Sequence, residues 1–205
     1  MIKAKELEKM NNDYSLLLER YGDNEKAVGW NKPKQRVRFE IMLKQIKRKF
    51  SSSELRKLRL LDVGCGLGHF YEYLIANDIE VKYVGADTNS DFISHCRLKY
   101  PNGEFYNVLI ENNFYESDII VASGAFNRKF AESHNIIKKF IQETQRSKAT
   151  VISINFLHSL AINQYENNYY TSLSDIEAVI NRSCTSGFVV DGATLPGEFT
   201  IALYK

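Results

Sequence analysis

From residue 58 onward, short apolar runs alternate with segments of helical periodicity, and this alternation restricts the fold more than any other feature. The predicted strands are LRLLDVG, VKYVGAD, EFYNVL, DIIVAS and TVISINF. The predicted helices between them cover about residues 68–76, 90–98 and 131–146. Strands that are apolar on both faces and alternate with helices form a parallel sheet covered on both sides. The sequence therefore predicts a doubly wound α/β domain.

The C-terminal part of the chain breaks this alternation. A capping box formed by Ser174 and Glu177 predicts a helix in SLSDIEAVINRSC, but the strands GFVVDG and EFTIALYK that follow are separated only by ATLPG. So short a link cannot make a parallel crossover, so these two strands are expected to be antiparallel. The prediction is a sheet of seven strands in which six are parallel and EFTIALYK is reversed.

Two helices are expected before the first strand. Apolar residues at steps of three and four predict an amphipathic helix over residues 3–20 and a second from about Lys34 to Phe50. We expect both helices to pack on the sheet beside its ligand site and to act as a lid over it. A chain of 205 residues has the usual size of one domain, so we predict a single domain with an N-terminal helical leader at 1–57 and a core at 58–205.

Composition indicates where the protein acts and which classes of partner it can bind. The N-terminal segment lacks the apolar stretch of a secretory signal, and nowhere do 18 apolar residues run together, so a cytoplasmic location without membrane contact is expected. The three cysteines include no C-x-x-C pair and indicate neither disulfides nor a metal site.

The stretch 32–59 is strongly basic, which is typical either of a phosphate-facing patch or of the solvated face of a helix. Its apolar positions fit a helix and favour the second interpretation.

The stretch LLDVGCGLGHF places Gly64, Gly66 and Gly68 between a strand and a helix. Glycines there let a ligand approach the main chain, and the helix N-terminus offers free N–H groups. The spacing G-x-G-x-G differs from the dinucleotide fingerprint G-x-G-x-x-G, which disfavours a pyrophosphate. Asp87 ends the next strand, where a carboxylate can accept hydrogen bonds from both hydroxyls of a ribose. The motif predicts a nucleoside ligand, with a helix cap as the alternative role of Asp87.

These stretches together resemble a known family. LLDVGCGLGHF, YVGADTN, DIIVASGAFN and EFTIALYK are similar to the glycine motif, the acidic ribose-binding strand end, the fourth strand and the reversed last strand of class I S-adenosylmethionine-dependent methyltransferases. The front segment YGDNEKAVGWNKPKQRVRFEIML resembles the leader of a group of small bacterial methyltransferases. The resemblance implies a Rossmann-like fold, S-adenosylmethionine as cofactor and methyl transfer as activity.

Carried over position by position, the resemblance implies roles for individual residues. It puts the methionine end of the cofactor over the three glycines, with Asp62 near its ammonium group and Asp87 on the ribose. In the family an acid at the end of the third strand often receives the adenine amino group, but this chain has Asn107 and Val108 there. Asn107 or the backbone must replace the carboxylate. Further implied cofactor contacts are Trp30, Arg38, Thr88 and Ser123, although Trp30 and Arg38 could equally anchor the second helix.

A sulfonium methyl group is already activated, so its transfer needs mainly orientation, and a base is optional. His158, just past the fifth strand, is the candidate base, although a histidine there is more often an ordinary loop residue. Asn127 and Asn155 are candidates to orient the acceptor. Tyr169 and Tyr170 in NQYENNYYTS could fold over a small substrate, or this segment could be a polar connecting loop.

The expected acceptor is an O or N atom of a small metabolite. Methyltransferases that act on base amino groups resemble one another in an Asn/Asp-Pro-Pro-aromatic stretch, where this chain has ASGAFN. The basic stretch also lacks interleaved stacking residues, so no nucleic-acid partner is expected. The alternatives are an RNA-directed methyltransferase and a non-catalytic cofactor-binding subunit. A nicotinamide dehydrogenase is disfavoured by the glycine spacing and the antiparallel last pair of strands.

Overall fold

The computed structural model describes residues 2–30, 32–108 and 116–205, and these contain a seven-stranded sheet. Its strands are β1 (Arg59–Val63), β2 (Lys82–Asp87), β3 (Glu104–Asn107), β4 (Ile119–Ala122), β5 (Val151–Leu157), β6 (Gly187–Asp191) and β7 (Glu198–Tyr204). They lie in the order β3-β2-β1-β4-β5-β7-β6. β7 is antiparallel to both of its neighbours, and the other strands run parallel to one another. The predicted α/β sheet with one reversed strand is confirmed.

The described part of the chain forms seven α-helices. They are α1 (Ala4–Tyr21), α2 (Lys32–Lys47), α3 (Ser52–Leu55), α4 (His69–Ala76), α5 (Ser90–Lys99), α6 (Ser133–Arg146) and α7 (Leu173–Val179). The helix predicted to reach Phe50 ends at Lys47, and α3 follows it. A capping box of Ser51 and Glu54 begins α3.

The predicted capping box of Ser174 and Glu177 is wrong. In α7, Ser172 Oγ accepts from the Asp175 N–H at 3.1 Å, and Asp175 Oδ2 accepts from the Ser172 N–H at 3.2 Å. A β-bridge between His158 and Thr171 ends the preceding extended segment at Thr171. The N-cap of α7 is therefore Ser172, the first residue after that bridge, two positions earlier than the sequence pattern suggested.

Two apolar clusters cover the two faces of the sheet. On one face the buried side chains include Met42 and Ile46 of α2 and Leu74 of α4. On the other, Ile137 and Ile141 of α6 pack with side chains of β4, β5 and β7. All residues of β4 and β5 are buried, as the two-sided apolar pattern predicts for central strands.

Both N-terminal helices pack on this core. From α1, Asn11 Nδ2 donates to the Thr88 carbonyl and Asn11 Oδ1 accepts from Thr88 Oγ1, each at 3.0 Å. From α2, Gln45 Oε1 accepts from Ser153 Oγ of β5 at 2.7 Å, and Gln45 Nε2 donates to the Thr200 carbonyl of β7 at 3.3 Å. α1 is thus fixed at the carboxyl edge of the parallel strands, and α2 lies across β5 and β7.

Candidate functional site

A cavity of about 380 Å³ lies at the carboxyl ends of β1, β2, β3 and β4. The loops after these strands form its floor, and α1 contributes Leu7, Met10 and Leu17 to its lining. In doubly wound folds the carboxyl edge is the general place for ligands, because the loops that follow the strands diverge there. Of the residues predicted from sequence to bind ligand, the lining contains Trp30, Asp62, Gly64, Gly66, Asp87, Thr88, Val108, Ser123 and Asn127.

The loop after β1 requires glycine for steric reasons. Gly64 has φ +71°, and a Cβ placed there would lie 2.7 Å from the Ala125 Cβ. Gly68 also has a positive φ, but it does not line the cavity; a Cβ there would meet the Tyr100 ring at 2.9 Å. The structure therefore brings Gly64 and Gly66 to the cavity and uses Gly68 to pack the start of α4 against α5.

Asp87 is held in place by main-chain donors. Its Oδ2 accepts from the Gly66 N–H and its Oδ1 from the Asn89 N–H, both at 2.9 Å. The cap of α5 is Asn89, whose Oδ1 accepts from the N–H groups of Asp91 and Phe92, so Asp87 is not the capping residue. Burial raises the pKa of Asp87, and the main-chain donors oppose this rise. The carboxylate faces the cavity with lone pairs to spare.

Asp62 is the second acid of the cavity. It is 2% exposed, and Tyr83 Oη donates to its Oδ2 at 2.6 Å. Burial raises the pKa of Asp62 to about 7; the Tyr83 hydrogen bond lowers it, and the negative charge of Asp87 raises it further. A ligand ammonium at Asp62 would favour the ionised carboxylate.

At the end of β3, the two predicted positions differ in their surroundings. Val108 lines the cavity, and its N–H donates to the Asp87 carbonyl at 3.1 Å. Asn107 lies outside the lining, and its Nδ2 donates to Ser90 Oγ at 2.9 Å and to the Thr88 carbonyl at 3.3 Å. Asn107 therefore ties β3 to the loop after β2, which leaves Val108 as the residue that faces a ligand.

Trp30 and Arg38 form a stacked pair of which only Trp30 lines the cavity. The guanidinium carbon of Arg38 lies 3.5 Å from the centroid of the Trp30 ring. Arg38 is fully buried, and its Nε lies 3.0 Å from Glu198 Oε2 on β7. The arginine thus stands behind the indole as seen from the cavity.

The residues predicted to act on the acceptor are brought together only in part. Asn127 lines the cavity, whereas Asn155 is buried behind it, with its Nδ2 3.2 Å from Thr200 Oγ1. His158 lies outside the lining: its Nδ1 accepts from the Leu160 N–H at 2.9 Å, and its ring packs on Phe199. This is the geometry of a loop-stabilising residue.

The two predicted tyrosines also lie outside the cavity lining. The Tyr169 N–H donates to the Asn127 carbonyl, and Tyr170 Oη accepts from the Tyr165 N–H, both at 2.9 Å. Their segment instead contributes Asn168 to the cavity. Sequence reasoning missed this residue because only the pairing with the loop after β4 turns it inward.

The sequence predicted that the N-terminal helices lie beside the site as a lid, but not which residues of α1 face it. Asp13 and Tyr14 line the cavity, and Asp13 forms an ion pair with Arg128 of the loop after β4.

Among the described residues, no group of three or more His, Cys, Asp or Glu side chains could hold a metal ion. Within the same residues, no helix is long and apolar enough to cross a membrane.

No protein-family model matches the chain, and no curated protein does. Solved structures match it at low identity. An S-adenosylmethionine-dependent methyltransferase from Clostridium acetobutylicum is 10% identical with a TM-score of 0.61, over 94% of this chain and 98% of that one. Magnesium protoporphyrin IX methyltransferase from Synechocystis with bound S-adenosylmethionine is 12% identical with a TM-score of 0.59, over 94% and 97%.

A third match is a chain of the Pnkp1/Rnl/Hen1 RNA repair complex. It is 15% identical with a TM-score of 0.55, over 78% of this chain and 40% of that one. The three matches differ in what their descriptions say of substrates, and two of them are methyltransferases by name. The chain therefore has the fold of the S-adenosylmethionine-dependent methyltransferases.

Proposed function

We propose that the protein is an S-adenosylmethionine-dependent methyltransferase that acts on an O or N atom of a small molecule. The observation that carries the proposal is the cavity at the carboxyl edge, where a glycine loop and two fixed acids meet. The fold shared with methyltransferases supports it. We further propose that the protein acts in the cytoplasm.

The residues present fit the cofactor. Gly64 lines the cavity and lets the loop after β1 approach Ala125 of the loop after β4, and Asp62 offers a buried carboxylate to an ammonium group. Asp87 is oriented by two N–H groups and can accept from ribose hydroxyls. Val108 offers an apolar contact to the base, and Ser123 lies at the end of β4. When bound, S-adenosylmethionine supplies an activated methyl group, and the protein contributes orientation and exclusion of water.

The roof of the cavity favours a compact acceptor. α1 is tied to the loop after β2 through Asn11 and to the loop after β4 through Asp13. The Ala131 N–H also donates to Glu6 Oε1 of α1 at 3.1 Å. A helix held at both sides leaves little room for a nucleic acid, which supports a small molecule. The leader at 1–57 would then act as a lid.

The test is a methyl-transfer assay that follows formation of S-adenosylhomocysteine. The protein is incubated with S-adenosylmethionine and, in separate reactions, with a pool of small metabolites and with total RNA. We expect turnover with the metabolite pool alone. Turnover only with RNA would replace the small-molecule acceptor by an RNA one, and binding of the cofactor without turnover in either reaction would favour a non-catalytic subunit.

A further inference from the structure

Beyond the cavity, on the side of the sheet covered by α2, four polar side chains form a buried group that we call the Arg38 cluster. It consists of Arg38, Asn155, Glu198 and Thr200, each at most 4% exposed. Arg38 Nε lies 3.0 Å from Glu198 Oε2, and Asn155 Nδ2 donates to the same oxygen at 3.3 Å. A cluster of this polarity in a core is costly unless its groups are paired.

The pairing within the cluster is incomplete. Among the described residues, Arg38 Nε, Nη1 and Nη2 and Asn155 Oδ1 have no hydrogen-bond partner, so the contact of Nε with Glu198 is an ion pair without hydrogen-bond geometry. Buried polar groups are nearly always paired, and an unpaired one is costly. Burial lowers the pKa of Arg38 to about 10, so the side chain stays charged at pH 7. Glu198 is placed at Nε, and the two terminal nitrogens present the fork that binds both oxygens of a carboxylate.

The Trp30 side chain lies between the flat face of the Arg38 guanidinium and the cavity. The Trp30 indole stacks on the Arg38 guanidinium and lines the cavity. Its Cζ2 would lie 2.6 Å from a Cβ at Gly124, so the ring rests against the loop after β4. The ring and the guanidinium form a cation–π contact. A bidentate carboxylate makes charge-assisted hydrogen bonds in the plane of the guanidinium, so it binds once the indole has left and the guanidinium has turned toward the cavity.

The position of the cluster assigns it to the acceptor. The cofactor contacts proposed above lie mainly at β1 and β2, whereas Asn155 belongs to β5 and Glu198 to β7. In the order β1-β4-β5-β7 the third neighbour of β1 lies about 14 Å across the sheet, since adjacent strands are about 4.8 Å apart. Asn127 lines the cavity on this side, and both of its amide atoms lack partners among the described residues.

We propose that the Arg38 cluster is a carboxylate subsite for the methyl acceptor, opened when the Trp30 indole moves aside and the Arg38 guanidinium turns toward the cavity. The inference rests on the proposed methyl transfer and narrows its acceptor to a compact acid. The carboxylate of the acceptor binds Arg38 Nη1 and Nη2, while Asn127 contacts its body. The methylated atom then faces the cofactor from the side of β4.

The single tryptophan of the chain gives a direct readout, because Trp30 is the side chain that moves. The wild-type protein, saturated with S-adenosylhomocysteine, is titrated with acetate and with benzoate at constant ionic strength while tryptophan emission is recorded. Acetamide and benzamide are the neutral controls. We expect at least one acid to change the tryptophan emission in a saturable way. The apparent affinity for the amide of that acid should be about tenfold lower or weaker still. Acids that act no more strongly than their amides overturn the proposal.

Variants identify the arginine. Arg38→Gln is expected to abolish the response to the acid, whereas Arg36→Gln, on the same helix but exposed and paired with Glu40, keeps it. Because Arg38→Gln leaves Glu198 buried without its cation, the double variant Arg38→Gln/Glu198→Gln serves where the single variant does not fold. A full response in a folded variant that lacks Arg38 contradicts the proposal.

A last experiment tests whether the carboxylate that binds Arg38 belongs to the methyl acceptor or to the cofactor. Binding of S-adenosylhomocysteine and of methylthioadenosine, which lacks the amino-acid part, is measured in the wild type and the double variant. We expect both affinities to stay within about threefold. A selective loss for S-adenosylhomocysteine assigns Arg38 to the cofactor and overturns the acceptor subsite. Failure of the wild type to bind S-adenosylhomocysteine at all would refute the proposed function instead.

Discussion

The two halves of the carboxyl edge differ in how completely their polar groups are paired. At β1 and β2, the Asp87 carboxylate accepts from two main-chain N–H groups and Asp62 accepts from Tyr83. At β4, β5 and β7, atoms of Arg38, Asn127 and Asn155 have no partner among the residues described. In the proposed function, the first half is preorganised for the cofactor, which is the same in every reaction cycle. The second half has unpaired polar groups that can form hydrogen bonds with a specific methyl acceptor.

Loss of Asp87 should have the largest effect on the preorganised half. Asp87→Ala removes a charged acceptor of ribose hydroxyls, and each such bond contributes about 1.5–3 kcal/mol. Because both ribose hydroxyls lose this acceptor, we expect S-adenosylhomocysteine to bind at least about 100-fold more weakly by calorimetry. Glu80→Ala, an exposed acid that precedes the same strand, is the control and should leave affinity unchanged. Equal affinity in a folded Asp87→Ala protein would remove the ribose assignment.

The glycine loop should be next in sensitivity. Gly64→Ala places a Cβ 2.7 Å from the Ala125 Cβ at a positive φ, whereas Gly29→Ala has a positive φ with no atom within 4 Å of its Cβ. A left-handed alanine costs about 1–2 kcal/mol. Urea unfolding should therefore show a loss of about that size for Gly29→Ala and a larger one for Gly64→Ala. Equal losses would mean that crowding by Ala125 does not matter.

Asp62 should make stability depend on pH in the free protein. Its folded pKa of about 7 lies above the unfolded value near 3.9, so its favourable contribution is present below pH 4 and is lost as pH rises through 7. Asp62→Asn cannot ionise. We expect the variant to gain at least about 1 kcal/mol over the wild type between pH 5 and pH 8 in urea unfolding. A constant difference across this range would contradict a raised pKa.

The ion pair of Asp13 and Arg128 should have a smaller effect, because both side chains are partly exposed. Such pairs contribute about 0–1 kcal/mol. Arg128→Gln should speed dissociation of S-adenosylhomocysteine by about threefold in stopped-flow measurements, since α1 is held less firmly. Arg36→Gln removes an exposed pair elsewhere and should leave dissociation unaltered. A slower dissociation in Arg128→Gln would argue against a lid.

His158→Ala should have the smallest effect on binding. His158 packs on Phe199 outside the cavity lining, so affinity for S-adenosylhomocysteine is expected to remain within about twofold while the thermal midpoint falls slightly. A strong loss of affinity would show that the loop after β5 reaches the cofactor.

The sheet could be predicted because its signals are local. Two-sided apolar runs and the short ATLPG link determine strand direction without tertiary information, and the glycines and Asp87 follow strands at fixed offsets. The other half of the site depends on distant contacts. Nothing near Arg38 in the sequence indicates that Glu198 lies beside it, and the inward position of Asn168 depends on pairing of two loops. Residues that act through long-range packing were therefore misplaced or missed.

We propose that the cavity at the carboxyl edge binds S-adenosylmethionine rather than a dinucleotide. Calorimetric titration of the wild-type protein with S-adenosylhomocysteine, and separately with NAD, distinguishes the two ligands. We expect saturable binding of S-adenosylhomocysteine with one ligand per chain and no heat of binding with NAD. Binding of NAD without binding of S-adenosylhomocysteine would contradict it.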